Sequence, residues 1–247
     1  MSNWHERFVQ ALADGTPFPS VQAQAPGTTL DEAYDIQLAF IRAQDRSISG
    51  YKAALTAAPA QQAMGIDQPV VGTLFADGDF SAQTSRVQLS RPSLLETELG
   101  FISNEAIAAP ISAADIDRCF ASVLPMIELA SPNLEGPPSG IDLVATNAAS
   151  YGYIAGTPMP LQGLDVDGQH VSLAQGETVL MEGNSGSVLG GQREALAWLA
   201  NRILALGLPI AAGAMFMTGS IGGVAPAKAG RYQARFGALA PIDFTLG

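Results

Sequence analysis

The sequence has little of several features that mark common classes of protein. It has one cysteine, Cys119, so no disulfide can form within the chain. It has two lysines and two histidines, and its formal net charge is −11. An acidic chain is a poor partner for nucleic acid or for an anionic membrane surface. Because the histidines, His5 and His170, fall in a predicted first helix and a predicted hairpin, a Ser–His–Asp hydrolase is also disfavoured.

Long hydrophobic runs are scarce as well. The most apolar long window, residues 195–217, is interrupted by Asn201, Arg202, Gly207 and Pro209. This pattern predicts a helix, a turn and a strand rather than a membrane span. The first ten residues, MSNWHERFVQ, contain no apolar signal core, so secretion is not indicated. Together with the single cysteine, these features lead us to expect a cytoplasmic protein.

What is present suits a globular fold. Of the 247 residues, 47% are hydrophobic and 14% are charged, which is enough to build a sizeable core. Capping-box patterns at Asn3/Glu6 and Thr29/Glu32 predict helices over residues 3–13 and 29–46, which form a small helical N-terminal region, residues 1–48. After it, glycine, proline and β-branched residues become frequent, which predicts a β-rich domain over residues 49–247. The expected fold class is α+β with mixed or antiparallel sheet.

Within the β-rich domain, hydrophobic alternation and turn residues place the elements. Two helices are expected, over residues 112–122 and 192–206. A hairpin is expected over residues 164–175, turning at Asp167-Gly168. The predicted strands cover residues 50–55, 87–89, 96–103, 126–129, 151–155, 171–174, 177–182, 215–219 and 232–236.

Four charged residues lie in otherwise apolar surroundings. Glu96 and Glu98 lie in LLETELGF, and on a strand they would share one face with Cα atoms about 7 Å apart. Such like charges either face water or are held together by a positive charge. Lys52 lies in GYKAALTA and Glu128 in LPMIELA. Three carboxylates on strands offer an open oxygen site for Mg²⁺ or Mn²⁺.

Each of these residues also has an ordinary structural interpretation. A Glu-x-Glu pair is common on half-exposed strands, and Glu128 could simply pair with an arginine. Lys52 could lay its aliphatic stem on the protein and extend its ammonium group to the surface. The spacing of the residues does not decide between these interpretations.

The order of the segments resembles the fumarylacetoacetate hydrolase family, in particular its branch of 2-keto-4-pentenoate hydratases and 4-oxalocrotonate decarboxylases. The resemblance covers about residues 34–236. Any one of its motifs is weak, but their shared order is specific. The motifs are GYKAALT (50–56), the glutamine-rich segment that ends in PVVGTL (61–74), ETE (96–98), IEL (127–129), DLVATNAASYGYIAG (142–156), ALAWLAN (195–201) and TGS (218–220).

This resemblance implies a fold and a cofactor. The fold is a β-roll of mixed strands with a small helical N-terminal part. The cofactor is a divalent metal ion, Mg²⁺ or Mn²⁺, held by Glu96, Glu98 and Glu128. Family substrates are short 2-oxo or 2-hydroxydienoic acids, so the implied partner is a small anionic acid. Relatives form homo-oligomers, and hydratase and decarboxylase relatives can form complexes with one another.

The implied reaction is addition of water to 2-hydroxypenta-2,4-dienoate or a close relative, in the catabolism of aromatic compounds. Lys52 is expected to neutralise the substrate carboxylate or to move a proton, with a pKa lowered by burial beside a cation. Asp77 is a candidate for a second acid or base, and Thr218 and Ser220 are candidates for substrate binding. All three also suit ordinary turn chemistry.

Alternatives stay open at this point. Decarboxylation of a 4-oxalocrotonate-like acid and hydrolysis of a carbon–carbon bond in an acylpyruvate would use the same electron sink. A non-catalytic partner subunit is a further alternative. The chain also departs from the hydratases after Glu128, where LASPN stands in place of a segment that tends to contain Asp, Ser and Arg. A different and bulkier substrate is compatible with this departure.

Overall fold

The computed structural model describes residues 3–247, which contain seven α-helices and twelve β-strands. The helices are α1 (Trp4–Asp14), α2 (Val21–Gln24), α3 (Leu30–Ala43), α4 (Ala58–Ala63), α5 (Ile116–Cys119), α6 (Gly140–Ala145) and α7 (Gln192–Ala205). The strands are β1 (Ile48–Ala54), β2 (Val70–Phe75), β3 (Leu94–Ser103), β4 (Phe120–Ala130), β5 (Ser150–Ala155), β6 (Met159–Pro160), β7 (His170–Gln175), β8 (Thr178–Asn184), β9 (Met215–Met217), β10 (Ile221–Pro226), β11 (Gly230–Phe236) and β12 (Leu239–Leu246). Within residues 3–247, none of the helices has the length and apolar character needed to cross a membrane.

The strands form two sheets. The larger has eight strands with the path β2-β1-β9-β3-β4-β5, to which β10 adds at β3 and β6 at β4. Its pairs are antiparallel except β1 with β9, so the sheet is mixed. The smaller sheet has four strands in the order β12-β11-β7-β8. The predicted α+β class with mixed sheet is therefore confirmed.

Of the helices at the start of the chain, α1 packs on α3, α2 packs on α6, and α3 packs on α6 and bonds to β2. α3 begins with the predicted capping box, in which the Thr29 amide donates to Glu32 Oε2 at 2.7 Å and the Glu32 amide donates to Thr29 Oγ1 at 3.2 Å. The capping box predicted at Asn3 is wrong, because the Asn3 side chain makes no capping hydrogen bond to α1. Gln37 of α3 is buried, and its Nε2 donates to backbone carbonyls of β2 and α6, both at 2.9 Å.

Several predicted elements differ in the structure, and residues 87–89, predicted as a strand, form only an isolated bridge between Val87 and Leu246. The hairpin predicted at Asp167-Gly168 is wrong, because the Asp165 side chain accepts the amides of both residues and folds them into a turn before β7. The actual hairpin pairs β7 with β8. The helix predicted over residues 112–122 ends at Cys119, and the chain enters β4 at once.

Candidate active site

The register of two central strands assembles a layer of carboxylates. Glu96 and Glu98 lie on β3, and Glu128 on β4 pairs directly with Glu96. One oxygen from each of the three side chains lies within 4.8 Å of the other two. Glu98 and Glu128 are buried and Glu96 is half-buried. Glu96 and Glu98 reach the same side of the sheet because strand residues two apart share a face.

Lys52 completes this layer from β1. Its Nζ atom lies 2.6 Å from Glu128 Oε1, and both side chains are buried. Burial by itself lowers the pKa of Lys52, but the attraction of Glu128, Glu96 and Glu98 outweighs it, and the pKa is raised overall. The pKa is raised because three carboxylates surround the ammonium group, whereas the lowering expected from the sequence concerns Lys52 beside a bound cation.

Two of the three carboxylates, Glu96 and Glu98, have raised pKa values. Burial raises the pKa of Glu96 to about 7, and Glu128 adds to this shift, while Lys52 and the Ser220 hydroxyl oppose it. Burial likewise raises the pKa of Glu98 well above its ordinary value, and Glu128 and Glu96 contribute in the same direction. A cation bound among these carboxylates would favour their ionised forms and so lower both pKa values.

The donor set fits a hard divalent cation. Three carboxylates against one ammonium group leave a formal charge of −2 when all are ionised (−3 + 1). Among residues 3–247, the buried Oε1 atom of Glu98 has no hydrogen-bond partner. Oxygen-only ligands with unfilled positions suit Mg²⁺ or Mn²⁺. Glu96, Glu98 and Glu128 therefore have the chemistry to hold such an ion.

A turn in the TGS motif fixes one of these carboxylates. The Gly219 amide donates to Glu98 Oε2 at 2.9 Å. Gly219 has a φ of +120°, and a Cβ there would lie 2.5 Å from Thr56 Cγ2. A side chain at this position would be strained and would also collide with Thr56. Glycine is thus needed for the turn to approach Glu98.

A cavity of about 570 Å³ adjoins the carboxylate layer. Lys52, Glu96 and Ser220 are among the residues that line it. The Ser220 hydroxyl donates to the Gly223 carbonyl at 2.7 Å. Most of the remaining lining side chains are apolar. The cavity is of the size and character expected for a small-molecule site.

Of the predicted catalytic and substrate-binding residues, Asp77 and Thr218 do not line this cavity. Asp77 is exposed, and Arg46 Nε donates to both of its carboxylate oxygens at 3.0 Å. The Thr218 hydroxyl is fully buried and donates to Gln192 Oε1 at 2.6 Å. Asp77 thus forms an ion pair at the surface, and the side chain of Thr218 is buried and does not reach the cavity. The geometry supports neither the expected acid–base role of Asp77 nor direct substrate binding by Thr218.

Sequence reasoning placed residues 147–149 within a motif of the resemblance but did not predict that they form part of the cavity wall. Residues 147–149 all have positive φ, between 51° and 69°, and Ala148 and Ala149 line the cavity. Asn147 anchors the segment, since its Oδ1 accepts the Thr73 amide at 2.7 Å and its Nδ2 donates to the Thr73 carbonyl at 2.9 Å. The signal in the sequence was Asn147 itself, because asparagine tolerates left-handed conformation. Such backbone strain is concentrated at functional sites.

Comparison with known proteins places this geometry in context. No protein-family model matches the chain. It is 30% identical to a 2-keto-4-pentenoate hydratase of Burkholderia vietnamiensis over 252 aligned residues, which cover 97% of this chain and 95% of the relative. It is 28% identical to a 2-keto-4-pentenoate hydratase of Paraburkholderia xenovorans, covering 91% of this chain and 86% of the relative.

A solved structure shares the fold of this chain. The 4-oxalocrotonate decarboxylase of Pseudomonas putida G7, complexed with magnesium and adipate, superposes with a TM-score of 0.91. The superposition covers 99% of this chain and 96% of the decarboxylase, at 25% identity. From its extended similarity to these hydratases, together with this fold, the chain belongs to the fumarylacetoacetate hydrolase family, in the branch of 2-keto-4-pentenoate hydratases and 4-oxalocrotonate decarboxylases.

Proposed function

We propose that this protein is a metal-dependent hydro-lyase that adds water to 2-hydroxypenta-2,4-dienoate or a closely related acid. The observation that carries the proposal is the carboxylate layer with its lysine, next to an apolar cavity. The hydratases to which the chain is similar over nearly its whole length support the same reaction. Such a reaction belongs to the catabolism of aromatic compounds.

Glu96, Glu98 and Glu128 would hold the metal ion, which we propose to be Mg²⁺ or Mn²⁺. When bound, the ion would act as a Lewis acid at the substrate's 2-oxygen, where negative charge develops. The unpartnered Glu98 Oε1 and the raised pKa values of Glu96 and Glu98 support a cation at this place.

The chain's own residues bind the acid and control protons. The substrate must gain a proton at C5 as its dienol becomes a 2-oxo acid, and water then adds its oxygen at C4 and a proton at C3. Lys52 Nζ keeps a proton beside Glu128 and supplies local positive charge for an anionic substrate in an acidic protein. The apolar walls limit the access of bulk water, which strengthens these charge interactions.

Decarboxylation of a 4-oxalocrotonate-like acid is the second candidate. One specific observation favours it, namely the superposition on a 4-oxalocrotonate decarboxylase with a TM-score of 0.91. Both reactions place negative charge on the same 2-oxygen, so the carboxylate layer suits either of them.

Turnover on a small panel of acids separates the candidates. The panel contains 2-hydroxypenta-2,4-dienoate, 2-oxohex-3-enedioate and an acylpyruvate, each with Mg²⁺ or Mn²⁺ and with chelator. We expect metal-dependent loss of the dienoate absorbance, formation of 4-hydroxy-2-oxopentanoate and no CO₂. Release of CO₂ from the dioate would move the protein to the decarboxylases, and cleavage of the acylpyruvate would move it to the carbon–carbon hydrolases.

We also propose that the enzyme is cytoplasmic and homo-oligomeric, and that it can associate with a related decarboxylase or hydratase. The single cysteine supports the first point, and the family resemblance supports the others. Sedimentation of the purified protein, alone and with such a relative, tests the assembly.

A further inference from the structure

Three strands show the same change from charged to apolar as they pass the cavity. On each strand, a charged residue of the site and an apolar residue that lines the cavity are two positions apart. They lie on the same face, about 7 Å from one another. The pairs, with the charged residue first, are Lys52 and Ala54, Glu96 and Leu94, and Glu128 and Ala130. The site therefore has a charged layer at one end and an apolar layer beside it.

The strand register keeps the two layers separate. Glu96 pairs with Glu128 across β3 and β4, and the next pair on that face is Leu94 with Ala130. Leu94 and Ala130 belong to one hydrophobic cluster with Leu143 and Ala149, and Met64 packs against it. All five of these residues line the cavity. The part of the cavity bounded by these five side chains is therefore apolar.

This apolar part has no charge that could receive a second anion. Within residues 3–247, Lys52 is the only basic side chain that lines the cavity. Its ammonium group lies in the charged layer, 2.6 Å from Glu128. A carboxylate placed against Met64, Leu143 and Ala149 would lose its hydration without gaining a partner, which is costly.

The volume of the cavity also favours a substrate larger than 2-hydroxypenta-2,4-dienoate. A water molecule occupies roughly 30 Å³ in the liquid. At that volume for each of the acid's eight heavy atoms, 2-hydroxypenta-2,4-dienoate would fill roughly 240 Å³. The cavity measures about 570 Å³. The five-carbon acid therefore leaves much of the apolar part unfilled.

From this arrangement we propose that the substrates are 2-hydroxy-2,4-dienoic monoacids that carry an uncharged hydrocarbon group at C5, and that dicarboxylic acids are rejected. This rests on the proposed function, because it assumes that the 2-hydroxy acid end lies at the carboxylate layer. The hydrocarbon group then lies along Leu94 and Ala130 towards Met64 and Leu143.

Two acids of matched shape provide the test. The first is 2-hydroxyhexa-2,4-dienedioate, whose second carboxylate is attached to C5. The second is 2-hydroxy-6-methylhepta-2,4-dienoate, in which an isopropyl group of similar shape replaces that carboxylate. We expect kcat/KM for the isopropyl acid to exceed that for the dioate by 100-fold or more. We also expect it to exceed that for 2-hydroxypenta-2,4-dienoate by about tenfold or more, since each buried methylene contributes about a fourfold gain.

A pair of variants at Met64 shows whether the apolar wall makes this choice. Met64 is half-buried at the end of α4 and lines the cavity. We expect Met64→Arg to raise kcat/KM for the dioate and to lower it for the isopropyl acid, whereas Met64→Leu should keep the wild-type order. Equal use of both acids by the wild-type protein, or an order that Met64→Arg leaves unchanged, would overturn the proposal.

A binding measurement separates failure of this proposal from failure of the proposed function. Calorimetry with Mn²⁺ present compares two unreactive acids, 2-oxoadipate and 2-oxo-6-methylheptanoate. Preferred binding of the second without turnover of any dienoate would reject the hydratase and keep the substrate class. Turnover of 2-hydroxypenta-2,4-dienoate together with preferred binding of 2-oxoadipate would keep the hydratase and reject the proposed substrate class.

Discussion

Glu98 is a buried carboxylate whose negative charge a bound cation would stabilise. It is fully buried, its Oε1 atom has no hydrogen-bond partner among residues 3–247, and its pKa is raised well above the ordinary value by burial and by its glutamate neighbours. Glutamine at this position keeps the shape and removes the charge. We therefore expect Glu98→Gln to raise the melting temperature of the metal-free protein while weakening Mn²⁺ binding by about 100-fold or more.

Calorimetric melting with chelator and with Mn²⁺ measures both effects. Glu182→Gln is the matched control, because Glu182 also lies on a strand but its side chain is exposed. The control should leave both quantities unchanged. A Glu98→Gln protein that binds Mn²⁺ as tightly as the wild type would show that this carboxylate is not a ligand.

Lys52 gives a second prediction at the same scale. Its removal leaves Glu128 buried without its partner, so Lys52→Met should lower the free energy of unfolding of the metal-free protein by about 3–5 kcal/mol. Adding Glu128→Gln removes the unpaired charge and should restore most of that loss, without restoring turnover. Urea unfolding of the two single variants and the double variant measures this coupling. Additive losses in the double variant would mean that the two side chains do not form a pair.

The sequence indicated these charged residues but not how they interact. Lys52, Glu96, Glu98 and Glu128 were identifiable because they are polar residues within apolar runs. The direction of the Lys52 pKa shift was not predictable, because it depends on a strand register that brings all three glutamates to one lysine. Asp77 was chosen for its position beside a turn, and the sequence did not show that Arg46 pairs with it.

At the scale of elements, the pairing of β3 with β4 makes stability depend on pH. The folded-state pKa of Glu96 is about 7, above its ordinary value of 4.5, so the folded protein binds the proton more tightly than the unfolded chain. Stability contributed by this proton is present below about pH 4.5 and is lost as pH rises towards about 7. The Glu98 shift acts in the same direction.

We therefore expect the melting temperature of the metal-free protein to fall between about pH 5 and pH 7.5, relative to a Glu96→Gln/Glu98→Gln double variant. Saturating Mg²⁺ should remove most of this difference in the wild-type protein, because a bound cation stabilises the ionised carboxylates. Melting curves in chelator and in Mg²⁺ provide the measurement. A wild-type curve that runs parallel to that of the double variant in chelator would contradict the assigned shifts.

The left-handed segment before β5 provides a prediction about the cavity wall. Asn147→Ala removes two hydrogen bonds to the Thr73 backbone and should cost about 1–3 kcal/mol of unfolding free energy. Asn201 is a matched control, because it makes the same two kinds of bond to the Ile111 backbone, both at 2.8 Å, and does not line the cavity. Both alanine variants should lose stability, but only Asn147→Ala should also raise KM. Equal KM values in the two variants would show that the segment has only a structural role.

Sequence patterns located some elements better than others. The helix predicted over residues 192–206 is α7, because its apolar spacing and the following glycine are both local signals. The strands β2, β6, β10 and β12 were missed. β10 contains glycines and a bulge opposite β3, so its alternation is broken, and β2 is buried along its whole length and shows no alternation at all.

At the scale of the whole molecule, the site depends on parts of the chain that are distant in sequence. Lys52 and Glu128 meet across the larger sheet, Gly219 fixes Glu98 from a turn after β9, and the buried Gln192 at the start of α7 holds Thr218 in place. The sequence predicted the mixed sheet and the residue types of the site, but neither the shape of the cavity nor the side of the sheet on which it lies. Those features follow from packing of the whole fold.

The most direct measurement is a parallel titration of metal binding and turnover. Protein freed of metal by a chelator is titrated with Mn²⁺, and calorimetric binding is compared with hydration of 2-hydroxypenta-2,4-dienoate at each concentration. We expect one ion to bind per chain, with binding and turnover half-saturated at the same Mn²⁺ concentration and both lost in Glu98→Gln. Full turnover in the presence of chelator, or Mn²⁺ binding that survives substitution of Glu96, Glu98 and Glu128, would contradict a metal-dependent hydratase built on this carboxylate layer.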